Sequence, residues 1–179
     1  MADYTALRDN LIYVLKESQM KIGYTENAAS INYPPASLCR LLGEELSDAE
    51  LKSELRSFCD SVRPILGEIA VSDYDGQYCL TIPKEGVRYV HEQVGESPFL
   101  RELIELVRDH RGKGIDDVLA VFKKYSDRVV VKEADTDEYN YVLYFEDGDP
   151  DGFVYLVEAM FGHVSYHRMT PADYLAEIK

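Results

Sequence analysis

The sequence contains no tryptophan, only three cysteines and no long apolar run. Cys39, Cys59 and Cys79 form no CxxC pair, so we expect neither a disulfide framework nor a zinc knuckle. A membrane-spanning helix needs about 20 apolar residues, and no segment approaches that length. Met1 leads into a charged amphipathic segment rather than a basic region followed by an apolar block. These absences predict a cytoplasmic protein without a membrane partner.

Basic side chains are also scarce, since 19 lysines and arginines stand against 33 acidic residues in the 179-residue chain. The formal net charge is −14, and the acidic excess is spread over both halves of the sequence. A surface of this sign repels phosphate polymers and anionic lipids. We therefore expect nucleic acid to be a disfavoured partner.

Residues 1–95 combine helical periodicity with one hairpin signal. Ser47 and Glu50 have the spacing of a capping box at the start of a long helix. Asp75-Gly76 supplies a tight turn between two β-prone segments. The predicted elements are helices over 4–22, 36–42, from 47 to about 66 and 85–94, and strands over 68–72 and 77–82, with no regular element over 24–33.

This order of elements, together with the sequence segment YCLTIPKEGVRYV, resembles that of the winged-helix superfamily. Tyr78, Leu80, Thr81 and Gly86 carry the resemblance, with a longer Thr-to-Gly spacing than in the commoner form. It implies a helix-turn-helix with the hairpin as its wing. Winged helices include DNA-binding repressors and protein-docking modules, so the resemblance leaves both functions open.

Residues 96–179 predict a second α+β unit. Ser97-Pro98 is typical of a helix start, Gly112 and Gly114 interrupt the helical pattern, and Thr170 caps a final helix. Four β-prone segments with reversals between them predict an antiparallel meander. We therefore predict an α+β protein with a winged-helix-like domain over 1–95 and a helix-flanked antiparallel sheet in a domain over 96–179.

Lys52, Arg56 and Arg63 lie near one edge of the long third helix, where a DNA-reading helix would contact phosphates or bases. Four acidic residues share that helix, and the proposed wing carries two more: Asp48, Glu50, Glu54, Asp60, Asp73 and Asp75. A DNA-binding wing is normally basic. The charge pattern thus weakens the nucleic-acid interpretation.

An acidic segment has the spacing of a twelve-residue calcium loop, with Asp147, Asp149, Asp151 and Glu158 as the carboxylate ligands. Such a loop lies between two helices, whereas the flanking segments here predict strands. An extended chain would carry Glu158 away from the aspartates. We favour an acidic hairpin turn, with a calcium site as the alternative.

The basic segment around Gly112 and Gly114 precedes a helix, so Arg108, Arg111 and Lys113 form a candidate anion site. No Walker-type Lys-Ser/Thr pair follows it, and two aspartates occupy the helix start. A solvated connection between helices is the favoured interpretation.

No catalytic motif was found, and no cofactor is expected; enzymatic activity is therefore not predicted. Tyrosine is abundant, and five tyrosines fall in the predicted sheet, which is typical of a packed core or of a contact surface. The first hypothesis is a non-enzymatic protein that acts through a protein partner or as a homo-oligomer. The alternatives are a DNA-binding regulator and a calcium-dependent or enzymatic module at Asp147–Glu158.

Overall fold

The computed structural model describes residues 3–109, 112–134 and 136–178. The chain divides into two compact units, Met1–Glu96 and Ser97–Lys179. Helices and antiparallel strands occur in both units, which confirms the predicted α+β class. In chain order the elements are α1 Thr5–Ile22, β1 Ala29–Tyr33, α2 Pro35–Leu42, α3 Asp48–Leu66, β2 Ala70–Tyr74, β3 Gln77–Ile82, α4 Lys84–Gln93, α5 Pro98–Arg108, α6 Ile115–Tyr125, β4 Val129–Glu133, β5 Tyr141–Phe145, β6 Val154–Met160, β7 His163–Met169 and α7 Pro171–Glu177.

The long helix α3 starts at the predicted capping box. The Ser47 hydroxyl accepts the backbone N–H of Glu50, and the Glu50 carboxylate accepts the N–H of Ser47 at 2.9 Å. Each pairing satisfies one donor that would lack a partner within the helix. The apolar stripe of α3 is fully buried and consists of Leu51, Leu55, Phe58, Val62 and Leu66. The helix therefore presents its polar face to solvent.

The first sheet has the strand order β1-β3-β2 and is antiparallel throughout. The prediction of no regular element over 24–33 was wrong, because Ala29–Tyr33 pairs along the whole of one edge of β3. The sequence signal for β1 is weak, since the strand has five residues and only Tyr33 is buried. The formation of β1 therefore depends on its pairing with β3 and not on a local sequence pattern.

The predicted hairpin is present, but its first strand lies two residues later than expected. Tyr74 pairs with Gln77, so the turn contains only Asp75 and Gly76. Both turn residues have positive φ, 51° and 74°, as the two-residue turns that suit the twist of a hairpin require. The turn geometry therefore fixes the strand at Ala70–Tyr74.

The core of the N-terminal unit lies between its helices and the inner face of the sheet. Helix α4 approaches α3 closely at Gly86. A Cβ at this position would lie 2.2 Å from the carbonyl oxygen of Leu66 and 2.7 Å from a methyl carbon of Ile82. Only glycine permits this approach of the two backbones.

The second sheet has the order β4-β5-β6-β7, which confirms the predicted meander. On one face, Phe99 of α5 and Phe122 of α6 pack edge-on or stacked against Phe145 and Tyr155, with ring centroids 4.9–5.8 Å apart. The other face carries a smaller apolar cluster, to which α7 contributes Tyr174. Among the described helices, none is long and apolar enough to cross a membrane.

Candidate functional site

A surface groove of about 580 Å³ lies between α3 and the β2–β3 hairpin. Its apolar lining comes from Leu55, Cys59, Ile69, Val71 and Tyr78. Its polar lining consists of Lys52, Arg56, Asp60, Arg63, Glu68, Ser72 and Asp73. The structure thus brings the three predicted nucleic-acid-binding residues into one groove, together with three acidic side chains.

Lys52 connects α3 to the hairpin. Its Nζ lies 2.9 Å from Oδ2 of Asp48, one turn earlier on the helix, and 2.9 Å from Oδ2 of Asp73 on β2. The hydroxyl of the buried Tyr78 on β3 donates to Oδ1 of the same Asp48 carboxylate. Lys52, Asp48, Asp73 and Tyr78 therefore form a polar clamp between helix and hairpin.

The polar clamp shifts the ionisation of its members. The Tyr78 hydroxyl and the Lys52 ammonium lower the pKa of Asp48, because both favour the carboxylate. Hydrogen bonds to Asp73 and Asp48 raise the pKa of Lys52. Burial, with the adjacent Asp48, raises the pKa of Tyr78 to about 12. At neutral pH Asp48 is therefore a carboxylate, Lys52 an ammonium and Tyr78 a neutral phenol.

The other two predicted nucleic-acid-binding residues differ in their partners. Arg63 forms an ion pair of 3.0 Å with Asp60 on the same helix. Arg56 is exposed, and no described residue forms a hydrogen bond or ion pair with it. Within the described part of the chain, Arg56 is therefore the one unpaired guanidinium of the groove, and it lies between two neutralised cations.

Strand β2 forms one wall of the groove and is an edge strand. In a hairpin closed by two residues, the pair flanking the turn is hydrogen-bonded and the pairing alternates from there. The main-chain groups of Val71 and Asp73 consequently point away from β3. Within the described residues, no loop, turn or cap hydrogen bond reaches them. The outer edge of β2 is available to another extended chain.

The groove holds one thiol, that of Cys59. Burial, together with the nearby Asp60, raises its pKa to about 11. A cysteine nucleophile must be a thiolate, and this group is protonated at neutral pH. The thiol is therefore part of the apolar lining and offers no nucleophile.

The predicted calcium ligands lie on the β5–β6 connection and on β6. Phe153–Glu158 is extended rather than helical over β6, which places Glu158 beside Ser165 of β7, whose hydroxyl donates to it at 3.2 Å. No group of three or more His, Cys, Asp or Glu side chains in the described residues has the arrangement of a metal site. The structure does not bring Asp147, Asp149, Asp151 and Glu158 together.

Asp151 belongs instead to a buried polar cluster. Its carboxylate accepts the backbone N–H of Phe153 at 2.9 Å and the hydroxyl of Tyr155 at 3.0 Å. Arg168 of β7 lies 3.4 Å away and stacks over the ring of Phe153. The carboxylate that a calcium loop would need is thus committed to an internal ion pair.

The candidate anion site is only partly described. Arg108 lies in the last turn of α5, and Lys113 is paired with Asp109 at 3.9 Å. Arg111 lies outside the described residues. The Gly114 N–H is capped by the Asp117 carboxylate at 2.9 Å, so the helix start already has an anionic partner.

Residues 4–178 match the family model described as a domain of unknown function, E. rectale Gene description (DUF3877). The chain belongs to the DUF3877 family. Comparison with curated proteins and with solved structures found no match. The match to the DUF3877 model covers nearly the whole chain, including both units and the groove residues.

Sequence reasoning found the cations of the groove but not its opposite wall. Asp73 was interpreted only as an acidic residue of the wing, and Val71 was not singled out. The sequence signal for this wall is the alternation of side-chain direction along a strand. In Ala70–Tyr74 it places Val71 and Asp73 on the same face. That face is the one directed at α3.

Proposed function

We propose that the N-terminal unit of this DUF3877 protein is a winged-helix-like docking module that binds an extended, carboxylate-bearing peptide segment of a protein partner. The observation that carries this proposal is that the outer edge of β2 and the side chain of Arg56, both without a partner among the described residues, lie beside each other in the groove. The function is binding without chemistry on the bound segment.

An edge strand can bind an extended peptide as an additional strand of its sheet. Main-chain hydrogen bonds then supply affinity, and pockets for alternate side chains supply specificity. The main-chain groups of Val71 and Asp73 are suited to the first role. The apolar lining formed by Leu55, Ile69 and Val71 is suited to the second.

Arg56 gives the site its preference for an acidic peptide. A guanidinium presents several donors in a planar fork that matches a carboxylate. Its neighbours Lys52 and Arg63 are already paired with aspartates, so Arg56 is the group whose charge a bound carboxylate would neutralise. We place the carboxylate of the peptide at this side chain.

The same contacts favour a protein partner over duplex DNA. Affinity for DNA grows with the number of phosphates that cations neutralise. Two of the three cations on α3 are neutralised internally, and the whole protein carries −14. A duplex would have to displace these ion pairs while approaching an acidic surface.

A displayed library of random peptides tests the proposal directly. The full-length wild-type protein is the bait, and binders are then measured against Val71→Asp and Arg56→Gln. We expect enriched peptides with β-prone residues and an acidic residue, and at least about tenfold weaker binding to each variant. A fluorescent random-sequence duplex at low salt should show no binding to the wild type.

Two matched variants serve as controls. Val131 on β4 has an exposed fraction of 41%, against 37% for Val71, and Arg88 on α4 is exposed and unpaired among the described residues. Val131→Asp and Arg88→Gln should leave peptide binding unchanged. Enrichment of no peptide, or binding insensitive to both groove variants, would reject the docking module. Salt-sensitive duplex binding lost in Arg56→Gln would favour the regulator instead.

A further inference from the structure

We infer that a second copy of this chain is an occupant of the docking edge, with β2 of one protomer pairing antiparallel to β2 of its partner. This inference rests on the proposed function, since it names the partner of the same site. It joins the two N-terminal sheets into one continuous sheet of six strands, with the two-fold axis between the paired β2 strands.

Strand β2 lacks the features that keep edge strands apart. Of the seven described strands, it alone has every residue exposed. Monomeric proteins usually protect such an edge with a lysine, a proline or a covering element. Ala70–Tyr74 contains neither lysine nor proline, whereas edge strand β4 contains Lys132. Edge strands β1 and β7 also lack both residue types, but neither is exposed along its whole length. Its one charged side chain, Asp73, is already neutralised by Lys52.

The local charge also selects this face for contact between identical copies. Two molecules of net charge −14 repel each other across most of their surfaces. The groove lining is different, because it contains three basic side chains, Lys52, Arg56 and Arg63, and three acidic ones, Asp60, Glu68 and Asp73. A face that carries both signs in equal number adds no net charge to this repulsion, so two copies meet there at a lower electrostatic cost than elsewhere.

The direction of the main-chain groups fixes the register of this pairing. Val71 and Asp73 must form the hydrogen bonds between protomers, so the two-fold axis can lie at Val71, Ser72 or Asp73. An axis at Asp73 places two like charges directly opposite, and an axis at Val71 leaves the ends of the strands unpaired. Ser72 as the centre pairs all five residues, with Val71 opposite Asp73 of the second copy.

Sedimentation equilibrium of the full-length protein over a range of micromolar concentrations measures the association. We expect the mass to rise with concentration from one chain of 20.4 kDa to two. Val71→Asp should weaken the dimer at least about tenfold, because it places a carboxylate directly opposite Asp73 of the second copy. Val131→Asp, the matched change on β4, should leave it unaltered.

Cysteine cross-linking tests the register. Ser72 residues that face each other across the axis would have Cα atoms about 4.5 Å apart, within the range of a disulfide. Ser72→Cys is made together with Cys79→Ser, because Cys79 lies opposite Ser72 within the hairpin. Oxidation should give a covalent dimer. Ala70→Cys in the same Cys79→Ser background should not give a covalent dimer, since the residues at position 70 of the two protomers would be about 13 Å apart along the strands.

The outcomes separate this inference from the docking module itself. A monomer at all concentrations, or a dimer that tolerates Val71→Asp and does not cross-link at position 72, overturns β2 pairing between copies. Peptides selected in the display experiment would still bind in a Val71-dependent manner if only the self-association is wrong. Loss of both results rejects the docking edge altogether.

Discussion

Lys52 of α3 and Asp73 of β2 form an ion pair, with 2.9 Å between Nζ and Oδ2. The same ammonium pairs with Asp48, whose carboxylate accepts the hydroxyl of Tyr78. Two hairpin strands are thereby attached to the helix at its N-terminal end. The cation that the sequence predicts as a DNA contact thus holds the wall of the groove in position.

Replacement of Lys52 by methionine should loosen the hairpin. The variant keeps the length of the side chain but leaves Asp48 and Asp73 without their shared ammonium, so the two carboxylates repel each other. We expect faster amide hydrogen exchange over residues 70–79 and a small decrease in the melting temperature, because exposed ion pairs contribute little to global stability.

Lys123→Met is the control for this experiment, since Lys123 is exposed on α6 and unpaired among the described residues. It should leave exchange in the hairpin unchanged. Equal exchange over residues 70–79 in Lys52→Met and wild type would show that β2 is held without the polar clamp.

Acid should weaken the polar clamp through Asp48. The Tyr78 hydroxyl and Lys52 lower the pKa of Asp48 in the folded protein, whereas an unfolded aspartate has a pKa of about 3.9. The contribution of Asp48 is therefore present above about pH 4 and is lost as the pH falls through the folded pKa. Thermal unfolding measured from pH 7 to pH 2.5 should show a shallower acid decline for Asp48→Asn. Parallel curves for the two proteins would contradict this assignment.

The parts of the fold that follow from local signals were predictable from the sequence. Ser47 and Glu50 cap α3 within four residues of each other, and Asp75-Gly76 sets the hairpin by its own turn geometry. The meander likewise follows from β-prone segments separated by reversals. Strand β1 was missed because its five residues acquire their structure from pairing with β3, and no local pattern reports that pairing.

The site was less predictable for the same reason. The helical spacing of Lys52, Arg56 and Arg63 correctly placed them on one side of α3, but their partners come from different positions in the chain. Asp73 reaches Lys52 only after the hairpin folds back on the helix. Asp151 likewise acquires Arg168 from the last strand, so acidic spacing alone suggested a calcium ligand.

Gly86→Ala should strongly destabilise the N-terminal unit. The new methyl group would meet the carbonyl oxygen of Leu66 at 2.2 Å, and a backbone atom inside the core cannot move aside as a flexible side chain can. We expect a loss of about 3 kcal/mol or more in the free energy of unfolding, measured by urea denaturation. Gly95→Ala, where no atom lies within 4 Å of the added Cβ, should stay close to wild type. A near-normal Gly86→Ala protein would disprove the close approach of α4 to α3.

Arg168→Met should destabilise the C-terminal unit, because it leaves the buried carboxylate of Asp151 without its cation. The side chains of Arg168 and Asp151 are only 4% and 7% exposed, and breaking a buried ion pair leaves an uncompensated charge. We expect a loss of about 3 kcal/mol in urea denaturation. The comparison is Arg128→Met, whose side chain is 68% exposed and lies 3.7 Å from Asp147; it should cost less than about 1 kcal/mol. Equal effects of the two changes would show that burial does not decide the strength of the Arg168 pair.

Phe161→Asn should stabilise the β6–β7 hairpin. Phe161 is 99% exposed and has φ of 54°, and it shares a two-residue turn with Gly162. A bulky residue is unfavourable at positive φ, whereas asparagine adopts this conformation readily, and the exposed ring contributes no buried area to offset the strain. We expect a gain of about 0.5–1 kcal/mol in urea denaturation.

The β2–β3 turn offers an internal control for the Phe161 prediction, because Asp75 occupies the equivalent position with φ of 51°. Aspartate and asparagine both tolerate this conformation, so Asp75→Asn should change stability little. If Phe161→Asn instead lowers the free energy of unfolding, the ring must make a stabilising contact. A fully exposed phenylalanine in a strained turn has no such contact to lose, which is why the sign of the change is the informative result.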